Sequence, residues 1–162
     1  MTKVSSLRLP GFSRFWFSAA VLLFLMFLTV FSSGITKTVC REDYRADRIV
    51  AAASQQIRTE VVSSDQEQEK GLSGRECIGP NHGMLFIFSE PGRYNFWMKD
   101  MKFPIDILWL DSEKKVIEVT ADISPDSYPQ TFTSANPASY VLEVKAGQAA
   151  KLGLYPGIRL QF

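Results

Sequence analysis

From Phe15 to Thr36 the chain carries no charged residue, and Phe15 to Phe31 is apolar apart from Ser18 and Thr29. An α-helix needs roughly 20 such residues to cross a hydrocarbon core of about 30 Å. A helix buried inside a soluble domain would normally present a polar face, and this stretch has none. The run therefore withdraws the first quarter of the sequence from any globular core and is read as one N-terminal transmembrane helix, a signal anchor over residues 15–36.

The flanks orient it. Lys3, Arg8 and Arg14 precede the run with no acidic residue before Glu42, and basic residues beside a span tend to stay cytoplasmic. Residues 1–14 are thus a basic cytoplasmic N-terminus, residues 37–47 a charged stalk, and residues 48–162 an extracytoplasmic domain. A cleaved signal peptide is the competing reading, with cleavage near Ser33 or Gly34 and a secreted product. The apolar run exceeds the roughly 7 to 15 residues of a secretory core, however, and no Ala-x-Ala site follows it. Of 18 Lys and Arg, these three removed leave 15 against 17 Asp and Glu, a net of −2. That balance gives no electrostatic ground for nucleic-acid binding.

Two cysteines remain, Cys40 in the stalk and Cys77 in the domain. In an oxidising compartment they could pair and tie the stalk to the domain; in the opposite orientation they would stay free thiols. With a lone histidine, His82, in a Pro80 to Gly83 turn and no Cys-x-x-Cys motif, neither a metal site nor a cofactor is expected.

The exported part reads as many short strands. Arg48 to Ala53 and Ile57 to Val62 suit a hairpin. Ser64 to Glu67 matches a capping box, with Gly71 as the stop of a helix of about two turns. Gly83 to Phe88 is a buried apolar strand, Ser89 to Gly92 a turn, and Tyr94 to Lys99 the returning partner. Strands follow over Pro104 to Asp111, Val116 to Ala121 and Tyr140 to Lys145. A second short helix covers Gln148 to Leu152, and a last strand ends at Phe162. Asp122 to Ala138, with prolines at 125, 129 and 137, is a long loop of the kind that forms lids or binding loops. These elements predict an α+β domain: a compact, largely antiparallel small β-barrel or sandwich with two short helices.

The densest chemistry lies in Phe96 to Ile107, FWMKDMKFPIDI. Alternation places Ile105, Ile107 and Trp109 on one strand face and Asp106, Leu108 and Leu110 on the other, so Asp106 is expected inside a central strand. A buried carboxylate needs a cation, hydrogen-bond donors or a proton; Lys99, Lys102 and Arg75 are the nearest cations in sequence. The plain structural reading has Asp106 fixing the Lys102 to Pro104 corner, Arg75 paired locally with Glu76, and Glu143 paired across strands. The functional reading makes Arg75, Trp97, Lys99, Asp100, Asp106 and Glu143 candidate binding residues, with Trp97 able to stack on a ligand. A single loop histidine excludes a Ser-His-Asp or Cys-His arrangement.

In order, Thr59 to Val62, Gly71-Leu72, Gly74-Arg75-Glu76, Gly83 to Phe86, FWMKDMKFPIDI, Asp111, Tyr140 to Glu143, Gly147, Gly153-Leu154 and Gly157 resemble the domain of unknown function 192 family, over Arg48 to Phe162. The resemblance implies a single compact α+β domain without an assigned activity. It places the family's polar motif residues on Arg75, Lys99, Asp106 and Glu143. Asp100 stands where asparagine is usual, and Cys77 replaces a usual aliphatic residue, so a Cys40 to Cys77 bond would be peculiar to this protein or a close subgroup. Two functions fit: an envelope module that binds a ligand or protein through the long loop and the Lys99 rim, or a metal-independent hydrolase or transferase using Asp106 or Glu143 with Lys99.

Overall fold

Ile105–Leu110 is apolar on both faces save Asp106, and in a computed structural model of the chain all six residues are buried in one strand. The structure describes Cys40, residues 44–52 and residues 54–162. The expected span Phe15 to Thr36, the basic N-terminus and most of the stalk lie outside the described residues. Among those residues no helix is long and apolar enough to cross a membrane.

The strands are β1 (Arg48–Ala52), β2 (Gln55–Val62), β3 (His82–Gly92), β4 (Phe96–Trp97), β5 (Ile105–Leu110), β6 (Val116–Ile123), β7 (Thr131–Phe132) and β8 (Ala138–Lys145). The helices are α1 (Asp65–Lys70) and α2 (Gln148–Lys151). Six strands form one sheet in the order β1-β2-β3-β8-β5-β6, and β4 pairs with β7 in a separate ribbon. All neighbours in the large sheet run antiparallel except β2 and β3, which are parallel.

The domain is therefore mostly mixed sheet with two short helices, and no closed barrel forms. The expected last strand is reduced to isolated bridges, Ala51 with Gln161 and Lys115 with Arg159. That tail touches β1 and the β5–β6 turn, at opposite ends of the strand order, and so covers edge groups that would otherwise invite pairing with another chain. Two further expectations fail for the same reason, non-local partnering. Ser89 to Gly92 is not a turn but the end of β3, which meets β8 again at Gly92 and Ala138 after a register shift. Phe96 and Trp97 do not return onto β3; they pair with Phe132 and Thr131 of the long loop.

Register divides the core in two. On one face Leu85, Leu108, Leu142 and Val144 pack with Ala149, Leu152, Leu154 and Leu160. On the other, Met84, Phe86, Ile107, Trp109 and Val141 pack with Leu72, Ile78, Met98 and Phe103. Gly83 lets β3 and β8 approach: a Cβ there would lie 2.6 Å from the Glu143 backbone oxygen, a contact that only glycine avoids.

At the start of α1 the Ser64 hydroxyl accepts from the Glu67 amide at 3.4 Å and donates to the Glu67 carboxylate at 2.8 Å. This holds Glu67 below its ordinary carboxylate pKa, chiefly through the Ser64 hydroxyl. Gly71 closes the helix at φ +47°, and Gln68 Nε2 donates to the Ile87 carbonyl at 2.9 Å, pinning α1 beside β3.

Candidate functional site

β5 and β8 pair Asp106 with Val144 and Ile107 with Glu143. Residues directly opposite in a sheet point to the same face, so Asp106 and Glu143 occupy opposite faces and cannot act on one ligand together.

On its face, Asp106 is 1% exposed. Its Oδ1 accepts from the Asp122 amide at 2.9 Å and its Oδ2 from the Ala149 amide at 3.0 Å. Asp122 sits at φ +53°, where β5 and β6 slip register. Ala149 belongs to the first turn of α2, whose N-cap, Gly147, has no side chain to offer. Asp106 supplies that cap from a neighbouring strand. Asp106 therefore does not fix the Lys102 to Pro104 corner, as expected from sequence, but joins the β6 irregularity to α2. A depression of about 520 Å³ lies beside it, but both carboxylate oxygens are already engaged.

The Glu143 face carries the cleft. Its row across the sheet runs Glu60, Met84, Glu143, Ile107, Thr120, so the expected cross-strand charge partner is absent: both immediate neighbours are apolar. Glu143 is 5% exposed, and its Oε2 has no hydrogen-bond partner among the described residues. Burial alone pushes its carboxyl up to about 8.

Glu143 lines a cavity of about 190 Å³ whose walls are Phe86 and Phe88 of β3, the Tyr94 to Trp97 segment, Met101, and α1 with the bend after it. Phe86 and Phe96 meet edge to face with centroids 4.9 Å apart, and Phe96 does the same with Trp109 at 5.2 Å. Phe88 stacks on Tyr94. The aromatic segment is tied down by its ends: Tyr94 donates to the Glu90 carbonyl at 2.5 Å, Ser73 to the Lys99 carbonyl at 2.8 Å, and the Gly74 amide to the Asp100 carbonyl at 2.8 Å.

A second depression, about 310 Å³, is lined by Trp97, Lys99 and Asp100 and shares Glu69, Lys70, Ser73 and Trp97 with the first. The two make one groove. Trp97 is 39% exposed at its rim, and Lys99 and Asp100 are exposed beyond it. Asp100 has φ +57°, a left-handed conformation that asparagine and aspartate tolerate better than other side chains. The backbone thus accounts for an Asn or Asp there.

Arg75 stands outside the cleft. It does not pair with adjacent Glu76, which forms an ion pair with Lys102. Its guanidinium makes two hydrogen bonds to the Glu60 carboxylate, at 2.7 and 2.8 Å, and lies 5.0 Å over the Tyr44 ring. The Glu60 bonds, ahead of the opposing desolvation, raise its pKa above the ordinary value. Tyr44 in turn donates to the Cys77 carbonyl, and Cys77 is disulfide-bonded to Cys40 with Cα atoms 5.8 Å apart. Glu60, 4% exposed, is not among the residues expected from sequence to form a site; the available signal is a carboxylate directly before Val61 and Val62 at the buried end of β2.

The family model DUF192, described as "Uncharacterized ACR", matches residues 48–162. The chain belongs to the DUF192 family. A crystal structure of a protein of unknown function from Novosphingobium aromaticivorans is similar at 31% identity and a TM-score of 0.65, the match covering 70% of this chain and 82% of that one. A Sinorhizobium meliloti protein described as a proposed transcription regulator is similar at 33% identity and a TM-score of 0.65, covering 70% and 89%. No curated protein matches the chain. The DUF192 residues singled out by sequence thus separate into a cleft group, Trp97 and Glu143 with Lys99 and Asp100 at the rim, and a structural group, Arg75 and Asp106.

Proposed function

We propose that this DUF192 protein is a membrane-anchored, extracytoplasmic binding module of the cell envelope, and that the aromatic groove over Glu143 receives its ligand or the side chain of a protein partner. One observation carries the reading. Asp106, one of the two candidate catalytic carboxylates, is consumed by two backbone amides on the far face, while the cleft offers aromatic surface and one buried carboxyl. Binding sites pair mostly apolar walls with a few placed polar groups. The uncharged run Phe15 to Thr36, its basic flank and the Cys40–Cys77 disulfide all suit a domain held outside the cytoplasm.

The test has two parts. Alkaline extraction of membranes should leave the full-length protein in the pellet, and protease added to spheroplasts should degrade the domain; recovery in the soluble fraction, protected, would remove the anchoring. Saturation-transfer NMR of the full-length protein in detergent micelles against envelope saccharides, muropeptides, amino acids and amines should give hits lost in Trp97→Ala. A library with no Trp97-dependent hit would remove the groove as the site.

The alternative, a hydrolase or transferase, draws on Glu143 alone, since a carboxyl titrating near 8 suits a general acid. It requires turnover of an envelope substrate that Glu143→Gln abolishes.

A further inference from the structure

A carboxyl walled in by apolar groups keeps its proton unless a cation comes to meet it. Among the described residues none is placed to do so for Glu143. Met84 and Ile107 flank it across the sheet, and Thr120 ends its row. Glu60, two strands away, is engaged by Arg75. The charges of α1 and the rim, Glu69, Lys70, Lys99 and Asp100, are exposed at the mouth of the groove, two of each sign. A ligand that reaches the floor therefore meets one carboxyl and aromatic rings.

Each ligand class fares differently there. An anion finds no cation at the floor. A neutral hydroxyl gains at most one hydrogen bond from the acid. A primary ammonium takes the place of the acid's proton, gaining a charge-assisted hydrogen bond in a desolvated site and attraction to the ring faces. The cavity of about 190 Å³ is below the roughly 300 to 1,000 Å³ of sites for whole drug-sized molecules, so it suits a side-chain-sized head.

We propose that the cleft is a receptor site for a primary alkylammonium group, held by the Glu143 carboxylate at the floor and by Phe86, Phe96 and Trp97 at the walls. The proposal rests on the reading of the groove as the binding site and names its ligand class. Binding is an exchange: the ammonium enters with its charge, and the Glu143 proton leaves to solvent.

Isothermal titration calorimetry tests it, with the full-length protein in detergent micelles and two probes, n-butylamine and Nα-acetyl-lysine methylamide. At pH 7, buffers of different ionisation enthalpy should report close to one proton released per probe bound. Affinity should rise about tenfold per pH unit between pH 6 and 7, the linkage of a single proton. Glu143→Gln should weaken binding at least tenfold and flatten this dependence, and Trp97→Leu, at an exposed position, should weaken it several-fold. Binding of butylamine alone identifies a free amine as the source, binding of the lysine derivative alone a lysine side chain; either supports the ammonium class. No binding of either probe at about 10 mM, equal binding of n-butanol, or unchanged binding by Glu143→Gln and Trp97→Leu overturns it. If neutral library compounds still bind in a Trp97-dependent way, the ammonium inference falls and the binding-module reading stands.

Discussion

Replacing Asp106 by alanine separates a structural carboxylate from a working one. The side chain accepts from two backbone amides, those of Asp122 and Ala149, in a position 1% exposed. Each hydrogen bond to an ionised group is worth about 1.5 to 3 kcal/mol, and a buried amide left without an acceptor costs about as much as the bond. Asp106→Ala should therefore lower unfolding free energy by about 3 to 6 kcal/mol. Asp106→Asn keeps one acceptor and sets an NH2 against the other amide, so about half that loss is expected. Urea denaturation of the full-length protein in micelles, followed by fluorescence, measures both. Ligand affinity in the groove, on the other face of the sheet, should change less than twofold in folded Asp106→Asn. A stability loss under about 1 kcal/mol in Asp106→Ala, with binding or turnover abolished, would refute the assignment.

Glu143 gives the opposite sign. The unfolded chain releases this proton near the ordinary 4.5 and the folded one near 8, so between those values the folded state binds more protons and its stability falls as pH rises. At about 1.36 kcal/mol per unit the cost at pH 7 is about 3 kcal/mol, an upper bound. Glu143→Gln should recover most of it at pH 7 and nothing at pH 4, measured by urea curves at both. Arg75→Met leaves Glu60 buried with, among the described residues, only the longer Arg45 contact at 3.7 Å and should cost about 3 to 5 kcal/mol, whereas Arg75→Met with Glu60→Met should cost less; denaturation of both variants decides. Cys40→Ser with Cys77→Ser opens a closure of 37 residues and should cost about 4 kcal/mol in the chain-entropy account, readable as a lower urea midpoint that reductant reproduces in the native protein.

Local signals carried well where local physics decides. The Ser64 box and Gly71 bounded α1, and the doubly apolar Ile105–Leu110 came out as a central strand with Asp106 inside. What failed depends on partners distant in sequence. Pro91 and Gly92 look like a turn, yet β3 runs on past the end of β2, where a missing amide costs no ladder bond to it, and rejoins β8 only at Gly92. The pairing of Phe96 and Trp97 with the long loop, and the parallel β2–β3 register, have no local signature. The site divides in the same way. Strand alternation at Asp106 and the family's motif positions nominate Glu143 and Asp106 together. Only register shows that Met84 and Ile107 flank the first, leaving it unpaired in an aromatic cleft, and that Gly147, lacking a side chain, leaves α2 for Asp106 to cap.

The state of the Glu143 carboxyl tests this account most directly. Its carbon resonance should be followed by NMR across pH 4 to 10 in selectively labelled full-length protein, without and with n-butylamine. The expected midpoint lies near 8 and falls when the amine is added. A midpoint near 4.5 that the amine leaves unmoved would contradict both the buried neutral acid and the cleft built around it.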